Sequence, residues 1–256
     1  MKNPIWLAKA FLLASCLALV GGPMALAQGG PPMLTDDPGT PGDKHWEINT
    51  AWTMTHTRSG DRNMETPLLD INYGIGERLQ LKYEAPWLMT RPAGEKTKSG
   101  LGDSEIGVKW RFLDEENDRV DVSTYPQFSF NSLSSSRRRG LVEEGSSFLL
   151  PFEFHGKAGG LEWNAEVGRE FQTREADEWL YGLAVGRELN KNFEFAVEIH
   201  GEGKFATNDD QLIVNLGGRL KLSENRTLLF SAGRSLNRLH GAEFNFVGYL
   251  GLQFTY

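Results

Sequence analysis

In many segments of this chain, charged, polar or small side chains alternate with apolar residues. Glu105, Lys109 and Arg111, for example, alternate with Val108 and Trp110. This period of two indicates β-strands with one polar and one apolar face. If the polar faces line a lumen, the chemistry they offer is an electrostatic field along a solute path. The candidate lumen-lining residues are Lys82, Glu84, Glu105, Lys109, Arg111, Glu153, His155, Glu162, Glu166, Glu194, Glu198, His200, Arg219 and Lys221, with Glu47 and Asp70 at the same parity.

These charges are unevenly distributed among the strands. Carboxylates come mainly from the sixth to ninth strands, as Glu153, Glu162, Glu166, Glu194 and Glu198, and basic residues mainly from the third, fourth and tenth. Such an acidic wall favours cations or neutral polar solutes over anions. The alternative is that the charges pair across a filled interior and only hold its shape, which a barrel of intermediate size permits.

Residues suited to catalysis are few. Asp209, Asp210 and His240 are candidates for a lipase or protease site, but the chain has no Gly-x-Ser-x-Gly motif. The five histidines, His45, His56, His155, His200 and His240, show no metal-binding spacing. We therefore expect no enzyme activity, catalytic residue, metal or cofactor. A barrel enzyme and a non-conducting structural or adhesive barrel are the alternatives to a channel.

The alternation predicts twelve strands that must position these side chains. They cover residues 45–56, 66–74, 78–85, 103–113, 120–131, 148–155, 161–171, 179–189, 193–200, 212–222, 226–236 and 244–256.

Short and long connections alternate between these strands, the long ones at residues 57–65, 87–102, 132–147, 172–178, 202–211 and 237–243. An even-stranded outer-membrane barrel with both termini in the periplasm has this pattern. The last strand must pair with residues 45–56 because a closed barrel joins its ends. The fold class predicted is all-β, a closed antiparallel transmembrane barrel of about 12 strands over residues 44–256.

The N-terminus has the features of an export signal. Lys2 and Lys9 flank a basic region, residues 10–20 are apolar, and small residues end at Ala27. We predict a signal peptide over residues 1–27. The alternative is a lipoprotein signal cleaved before Cys16, the single cysteine of the chain.

Composition agrees with an exported barrel. Without Lys2 and Lys9, 25 basic residues face 34 acidic ones, a net charge of about −9, which argues against nucleic acid as a partner. The chain is 39% hydrophobic and 11% aromatic, with a mean hydropathy of −0.40. These values are low for a helical membrane protein and suit a barrel, in which only alternate residues face lipid.

Residues 28–43 form a Gly- and Pro-rich segment that carries Asp36, Asp37 and Asp43. Proline and glycine disfavour a ladder strand. We expect this segment either to fold into the periplasmic mouth as a plug or to remain a disordered tail.

Several arginines are candidates for lipid contact. Arg169 and Arg234 have the outward parity near the long loops, where they could meet lipopolysaccharide phosphates, snorkel at the rim or turn inward at a bulge. The run of residues 137–139 could bind the same phosphates or be solvated loop charge.

Two stretches carry a family resemblance. Residues 31–38 with 45–47 (PPMLTDDP and HWE), and residues 99–112 (SGLGDSEIGVKWRF), are similar to a family of bacterial outer-membrane proteins labelled as phenol-degradation meta-pathway transporters. The resemblance implies a barrel and transport of a small solute, and supplies no catalytic residues. The chain end also resembles the signal read by the barrel-assembly machinery, through Leu252, Phe254 and Tyr256. We thus expect a bacterial outer-membrane location, with lipid, lipopolysaccharide and this machinery as partners.

Overall fold

The computed structural model describes residues 30–114, 120–203, 211–236 and 244–256. One short helix, α1 (Ser134–Arg138), stands among strand segments. The strands are β1 (Trp46–Thr57), β2 (Arg62–Ile75), β3 (Leu79–Arg91), β4 (Lys98–Leu101), β5 (Asp103–Leu113), β6 (Asp121–Thr124), β7 (Gln127–Asn131), β8 (Ser146–Ala158), β9 (Leu161–Gln172), β10 (Glu178–Asn190), β11 (Phe193–Gly203), β12 (Gln211–Ser223), β13 (Arg226–Ser235) and β14 (Phe244–Thr255). Within the described ranges, no helix is long and apolar enough to cross a membrane.

The segments form one closed antiparallel barrel of twelve strands. β4 and β5 pair with the same neighbour, β3, on either side of Gly102, so they count as one barrel strand. β6 and β7 both lie between β5 and β8, interrupted at Tyr125 and Pro126. The predicted fold class and number of strands are confirmed.

The first and last strands close the barrel, as the sequence predicts. β1 pairs with β14 from Glu47 opposite Thr255 to Thr57 opposite Phe244. The amide of Trp46 donates to the carbonyl of Tyr256 at 2.9 Å, and the reverse bond is 3.0 Å long. Closure leaves no strand edge unpaired, which a lipid environment requires.

The barrel has two different ends. The turn end carries the start of β1, the end of β14 and short connections such as residues 76–78 and 159–160. The loop end carries the connections at residues 58–61, 92–97, 132–145 and 173–177.

Two of the predicted long loops are wrong, because strands occupy much of them. The sequence predicts a loop over residues 57–65. In the structure β2 begins at Arg62, which pairs with His56 of β1. Pro67 breaks the sequence pattern, but register shifts in the pairing of β2 with β1 and in that of β2 with β3 accommodate it. The ladder therefore continues beyond this proline. Within the predicted loop 87–102, β3 extends to Arg91 and β4 pairs with it.

The two faces of the barrel wall have opposite chemistry. On β5, Ile106, Val108 and Trp110 are exposed, whereas Ser104 and Lys109 on the other face are buried. The same alternation continues around the barrel. A band of exposed large apolar side chains on a closed sheet is the surface that faces lipid hydrocarbon.

At the loop end, Arg169 lies on the outer face. Its Nη2 donates to Asp177 at 2.8 Å, and its guanidinium lies 5.2 Å from the ring of Phe171 and 5.5 Å from that of Trp179. Amphipathic rings and a paired arginine are suited to the level of the lipid headgroups.

Candidate functional site

Residues 30–43, which we call the lumenal segment, lie inside the barrel. From Gly30 the chain passes β12 and β13, contacts β9 and β11 around Thr35, reaches β5 at Asp36, and returns to the turn end. There the hydroxyl of Thr40 donates to the carbonyl of Glu77 at 2.9 Å. The segment therefore contacts the acidic side of the wall and leaves through the turn end.

Carboxylates of this wall accept main-chain N–H groups of the segment. Glu198, 1% exposed, accepts from the amide of Leu34 at 2.8 and 3.0 Å and from that of Thr35 at 2.8 Å. The amide of Asp36 donates to Glu166 at 2.9 Å. Hydrogen bonds to a charged acceptor are roughly twice as strong as neutral ones, so these contacts fix residues 34–36 firmly.

The carbonyl groups of the segment are bound on the neighbouring strands. Arg219 donates to the oxygen of Pro31 from Nε at 3.1 Å and from Nη2 at 2.7 Å, and reaches that of Gly30 at 3.3 Å. Ser231 donates to the oxygen of Pro32 at 2.7 Å. Pro31 and Pro32 have no N–H and present only acceptors, and the N–H of Gly30 is used within the segment, donating to the carbonyl of Thr35 at 2.8 Å. The wall side chains named here act as donors.

A buried lysine joins the segment to the opposite wall. Nζ of Lys109 lies 2.9 Å from Oδ1 of Asp36 and 3.5 Å from Oε2 of Glu153, and it also donates to the carbonyl of Asp37. The lysine and Glu153 side chains are 3% and 0% exposed, and the ammonium lies 4.5 Å from the centre of the Tyr125 ring. Buried charges must be compensated in this way.

Two glycines make room for alternate side chains of the segment. A methyl group at Gly182 of β10 would overlap the hydroxyl of Thr35, and one at Gly217 of β12 would overlap the terminal carbon of Met33. Thr35 is 0% exposed and Met33 6%. The wall is therefore shaped to the segment.

A second lysine cluster lies beside the first, and its ion pairs are with wall carboxylates rather than with the lumenal segment. Lys82 lies 3.0 Å from Glu84 and 2.8 Å from Glu105, with its ammonium 5.9 Å from the Tyr125 ring. A cavity of about 100 Å³ is lined by Lys82, Glu84, Arg219 and residues of the segment.

The other sequence-predicted site residues take part in separate pairs. His155 contacts Asn164 at 2.8 Å, His200 contacts Glu202 at 3.2 Å, and Glu162 lies 3.8 Å from Lys157. Glu194 is 8% exposed. At the turn end, Arg111 donates to the carbonyl of Glu77 at 2.7 Å, Lys221 is exposed, and Glu47 and Asp70 line the cavity near Arg219.

Sequence reasoning overlooked the uncharged members of the site. Asn215 donates to Glu198 at 2.8 Å, and Ser231, Gly182, Gly217 and Tyr125 complete the contacts described above. All five have the same inward parity as their charged neighbours. Their inward position in the alternating pattern could therefore have identified them from the sequence.

The loop end contains a second, larger space. A cavity of about 610 Å³ lies between β1, β2 and β3 and residues 140–143, with Glu65 and Leu141 in its lining. A hydrogen bond from Glu175 and its negative charge raise the pKa of Glu143. Hydrogen bonds from Ser59 and the amide of Ala93 lower the pKa of Asp61.

The residues considered for catalysis do not form a described site. Asp209, Asp210 and His240 lie outside the described residues, as do residues 1–29. Within the ranges that are described, no group of three or more His, Cys, Asp or Glu side chains could hold a metal ion.

Solved structures with this fold include porins and channels. An outer membrane channel from Pseudomonas putida F1 has a TM-score of 0.65 at 12% identity, covering 93% of this chain and 99% of that one. The KdgM porin in complex with disordered oligogalacturonate has a TM-score of 0.59 at 9% identity, covering 82% and 99%. The CymD monoaromatic hydrocarbon channel has a TM-score of 0.50 at 7% identity, covering 84% and 89%.

These likenesses agree with a transmembrane β-barrel of the outer-membrane type, whose apolar outer face lies in membrane lipid. No curated protein matches the chain in sequence. Residues 66–246, well over half of the chain, match the family described as "Putative MetA-pathway of phenol degradation". The family that the sequence suggested is thereby confirmed, and the chain belongs to it.

Proposed function

We propose that this protein is an outer-membrane channel for small solutes, with a charged and partly acidic lumen that the lumenal segment narrows. The observation that carries the proposal is the seating of residues 30–43 inside a closed barrel, where Glu198 and Lys109 bind them. A barrel that served only as a scaffold would not need a polar interior shaped to the lumenal segment. The fold of porins and channels supports the same reading.

The acidic wall sets the expected selectivity. Carboxylates of β8, β9 and β11 outnumber basic groups on those strands, so cations and neutral polar solutes are favoured over anions. Glu198 and Glu166 are bound to N–H groups of the segment rather than to cations. Their charge becomes available to a solute when the segment moves.

Conductance in planar bilayers tests the proposal. The mature protein is expected to show small or infrequent openings, and deletion of residues 29–42 is expected to raise the single-channel conductance. Heat-dependent gel mobility of both proteins verifies that each barrel is folded. Unchanged conductance after the deletion would refute the plug, and a preference for anions would refute the acidic-wall argument.

The remaining sequence expectations belong to the same proposal. Residues 1–27 serve as a cleaved signal, the termini lie in the periplasm, and Arg169 meets lipopolysaccharide phosphates at the outer rim. Leu252, Phe254 and Tyr256 are read by the assembly machinery, so Tyr256→Ala is expected to lower the amount of heat-modifiable barrel in the outer membrane. We expect no enzyme activity, and phospholipase and protease assays on the purified barrel check this.

A further inference from the structure

The barrel wall binds the lumenal segment through groups that every peptide carries. The carbonyl oxygens of residues 30–32 accept hydrogen bonds from wall side chains. The N–H groups of residues 34–36 donate to wall carboxylates. Main-chain groups of six residues, 30–32 and 34–36, thus contact the wall, whereas the N–H of Met33 donates within the segment to the carbonyl of Gly30. These contacts leave the identity of most side chains free. The wall site, as we name it, consists of Lys109, Glu166, Glu198, Arg219 and Ser231.

Side-chain selectivity arises at alternate positions. Met33 and Thr35 project against Gly217 and Gly182, which leave space on neighbouring parts of the wall. The segment is bent here, because the N–H of Gly30 donates to the carbonyl of Thr35 and the N–H of Met33 donates to the carbonyl of Gly30, each at 2.8 Å. Spaces for particular side chains give specificity where main-chain bonds give affinity. Lys109 adds a preference for a carboxylate at the next position, where it binds Asp36 at 2.9 Å.

The resident segment does not use all the hydrogen-bonding capacity of the site. Thr35 Oγ1 and His200 Nδ1 are buried near Gly182 and have no hydrogen-bond partner among the described residues. Buried polar groups are normally paired. A different side chain at this position could therefore bind as well as threonine does, or better.

We propose that the wall site is a binding site for short, acidic peptides that adopt the bent form of residues 30–35, and that the lumenal segment is its covalently attached occupant. This inference rests on the proposed function, because an external peptide reaches the site only if the channel admits it and the segment leaves. It assigns such peptides as ligands that block the channel at this site, since the acidic wall disfavours anions as permeating solutes. The match is a peptide with a medium apolar residue, a small residue two positions later, and a carboxylate next to that.

Because the lumenal segment is covalently attached, it competes with any added peptide for the wall site. A tethered segment competes at an effective concentration of about millimolar, so a free peptide binds the intact protein poorly. The competition can be removed in the full chain by weakening only the segment. Leu34→Pro with Thr35→Pro deletes both N–H groups that donate to Glu198 and leaves the wall site unchanged.

The probe is a capped synthetic peptide with the sequence of residues 30–37, added to this double-proline protein in planar bilayers. We expect concentration-dependent block, at least tenfold stronger than in the protein with its natural segment. A scrambled peptide of the same composition should block at least tenfold less. Adding Glu198→Gln should weaken block at least tenfold. Glu65→Gln should change it less than twofold, because Glu65 accepts a hydrogen bond from Thr53 of the wall and not from the segment.

The outcomes separate the two proposals. If the double-proline protein opens but millimolar peptide does not block it, or the scrambled peptide blocks equally, peptide binding is refuted and the plug stands. If the double-proline protein conducts as the natural one does, the plug itself fails. Asp36→Lys provides a second displaced form, since it sets an ammonium against Lys109, and block must be reproduced there.

Discussion

Replacing Lys109 by methionine tests whether the segment is held in the lumen by a shared ion pair. Methionine keeps most of the length and apolar stem of lysine and removes its charge. In the native protein the ammonium lies between Asp36 of the segment and Glu153 of the wall. After the substitution, Asp36 has lost its bound cation, and the segment can relieve this only by moving the carboxylate into water.

The size of the effect follows from this arrangement. Breaking a buried ion pair by removing one partner costs about 3–5 kcal/mol. Glu153 stays buried whether or not the segment leaves, so only the part due to Asp36 favours release, and we take the lower value. A change of about 3 kcal/mol corresponds to roughly a 100-fold increase in the ratio of released to bound segment.

Accessibility of a cysteine in the segment measures that ratio. Thr35→Cys, in a protein carrying Cys16→Ser, is buried while the segment is bound and reacts with a water-soluble maleimide only on release. The labelling rate should rise about 100-fold with Lys109→Met, as the ratio above implies, and single-channel conductance should rise with it.

Lys82 provides a matched control for the same assay. It is a largely buried lysine, 14% exposed, on the adjacent strand, and its ammonium pairs with two wall carboxylates, Glu84 and Glu105, rather than with the segment. Lys82→Met should therefore disturb the barrel similarly but leave the labelling rate within a few-fold. An unchanged rate in Lys109→Met, or an equal rise in both variants, would refute the ion-pair reasoning.

Two further predictions concern packing and pH. Gly182→Val should push Thr35 off the wall at a cost of about 1–3 kcal/mol, so labelling at position 35 should rise, whereas a rate equal to that of the parent would show that the segment is not packed there. Hydrogen bonds lower the pKa of Asp61 and tie residues 58–61 to Ala93. Because the folded pKa lies below the unfolded one, this stabilisation is present above the unfolded pKa and is lost as pH falls through the folded pKa. Hydrogen exchange in residues 58–61 should accelerate in that acidic range, and Asp61→Asn should exchange fast at neutral pH; a variant that matches the parent at neutral pH would contradict this.

The parity of residues along each strand was enough to predict the barrel, but not the ends of its strands. Alternation of charged and apolar residues in β5 is unmistakable, since each side chain must choose between lumen and lipid. Pro67 broke the pattern in β2, and the ladder continued there only because a register shift accommodated it. Such a shift depends on the partner strand, so the sequence of β2 alone does not contain it.

The candidate site was predictable as a set of inward charges and not as a set of partners. The sequence predicts that Glu198 faces a solute. In the structure its carboxylate instead accepts hydrogen bonds from the amides of Leu34 and Thr35, which are 164 and 163 positions earlier in the chain. An N–H group carries no mark of its partner in the sequence. A glycine at an inward position, such as Gly182, was the available clue, because a missing side chain there leaves space that something must fill.

This seating gives the excess of acid on one side of the lumen a specific explanation. A wall built only to pair its own charges would match Glu166 and Glu198 with lysines or arginines on adjacent strands. Their carboxylates instead accept hydrogen bonds from Asn215 and from main-chain amides. The segment adds Asp36, Asp37 and Asp43 and no basic residue of its own, so it cannot be held by charge attraction to that side as a whole. Its position depends on N–H groups aimed at single carboxylates, on Arg219 and Ser231, which donate to the carbonyls of residues 30–32, and on one lysine from the opposite wall. Its release is therefore sensitive to few residues.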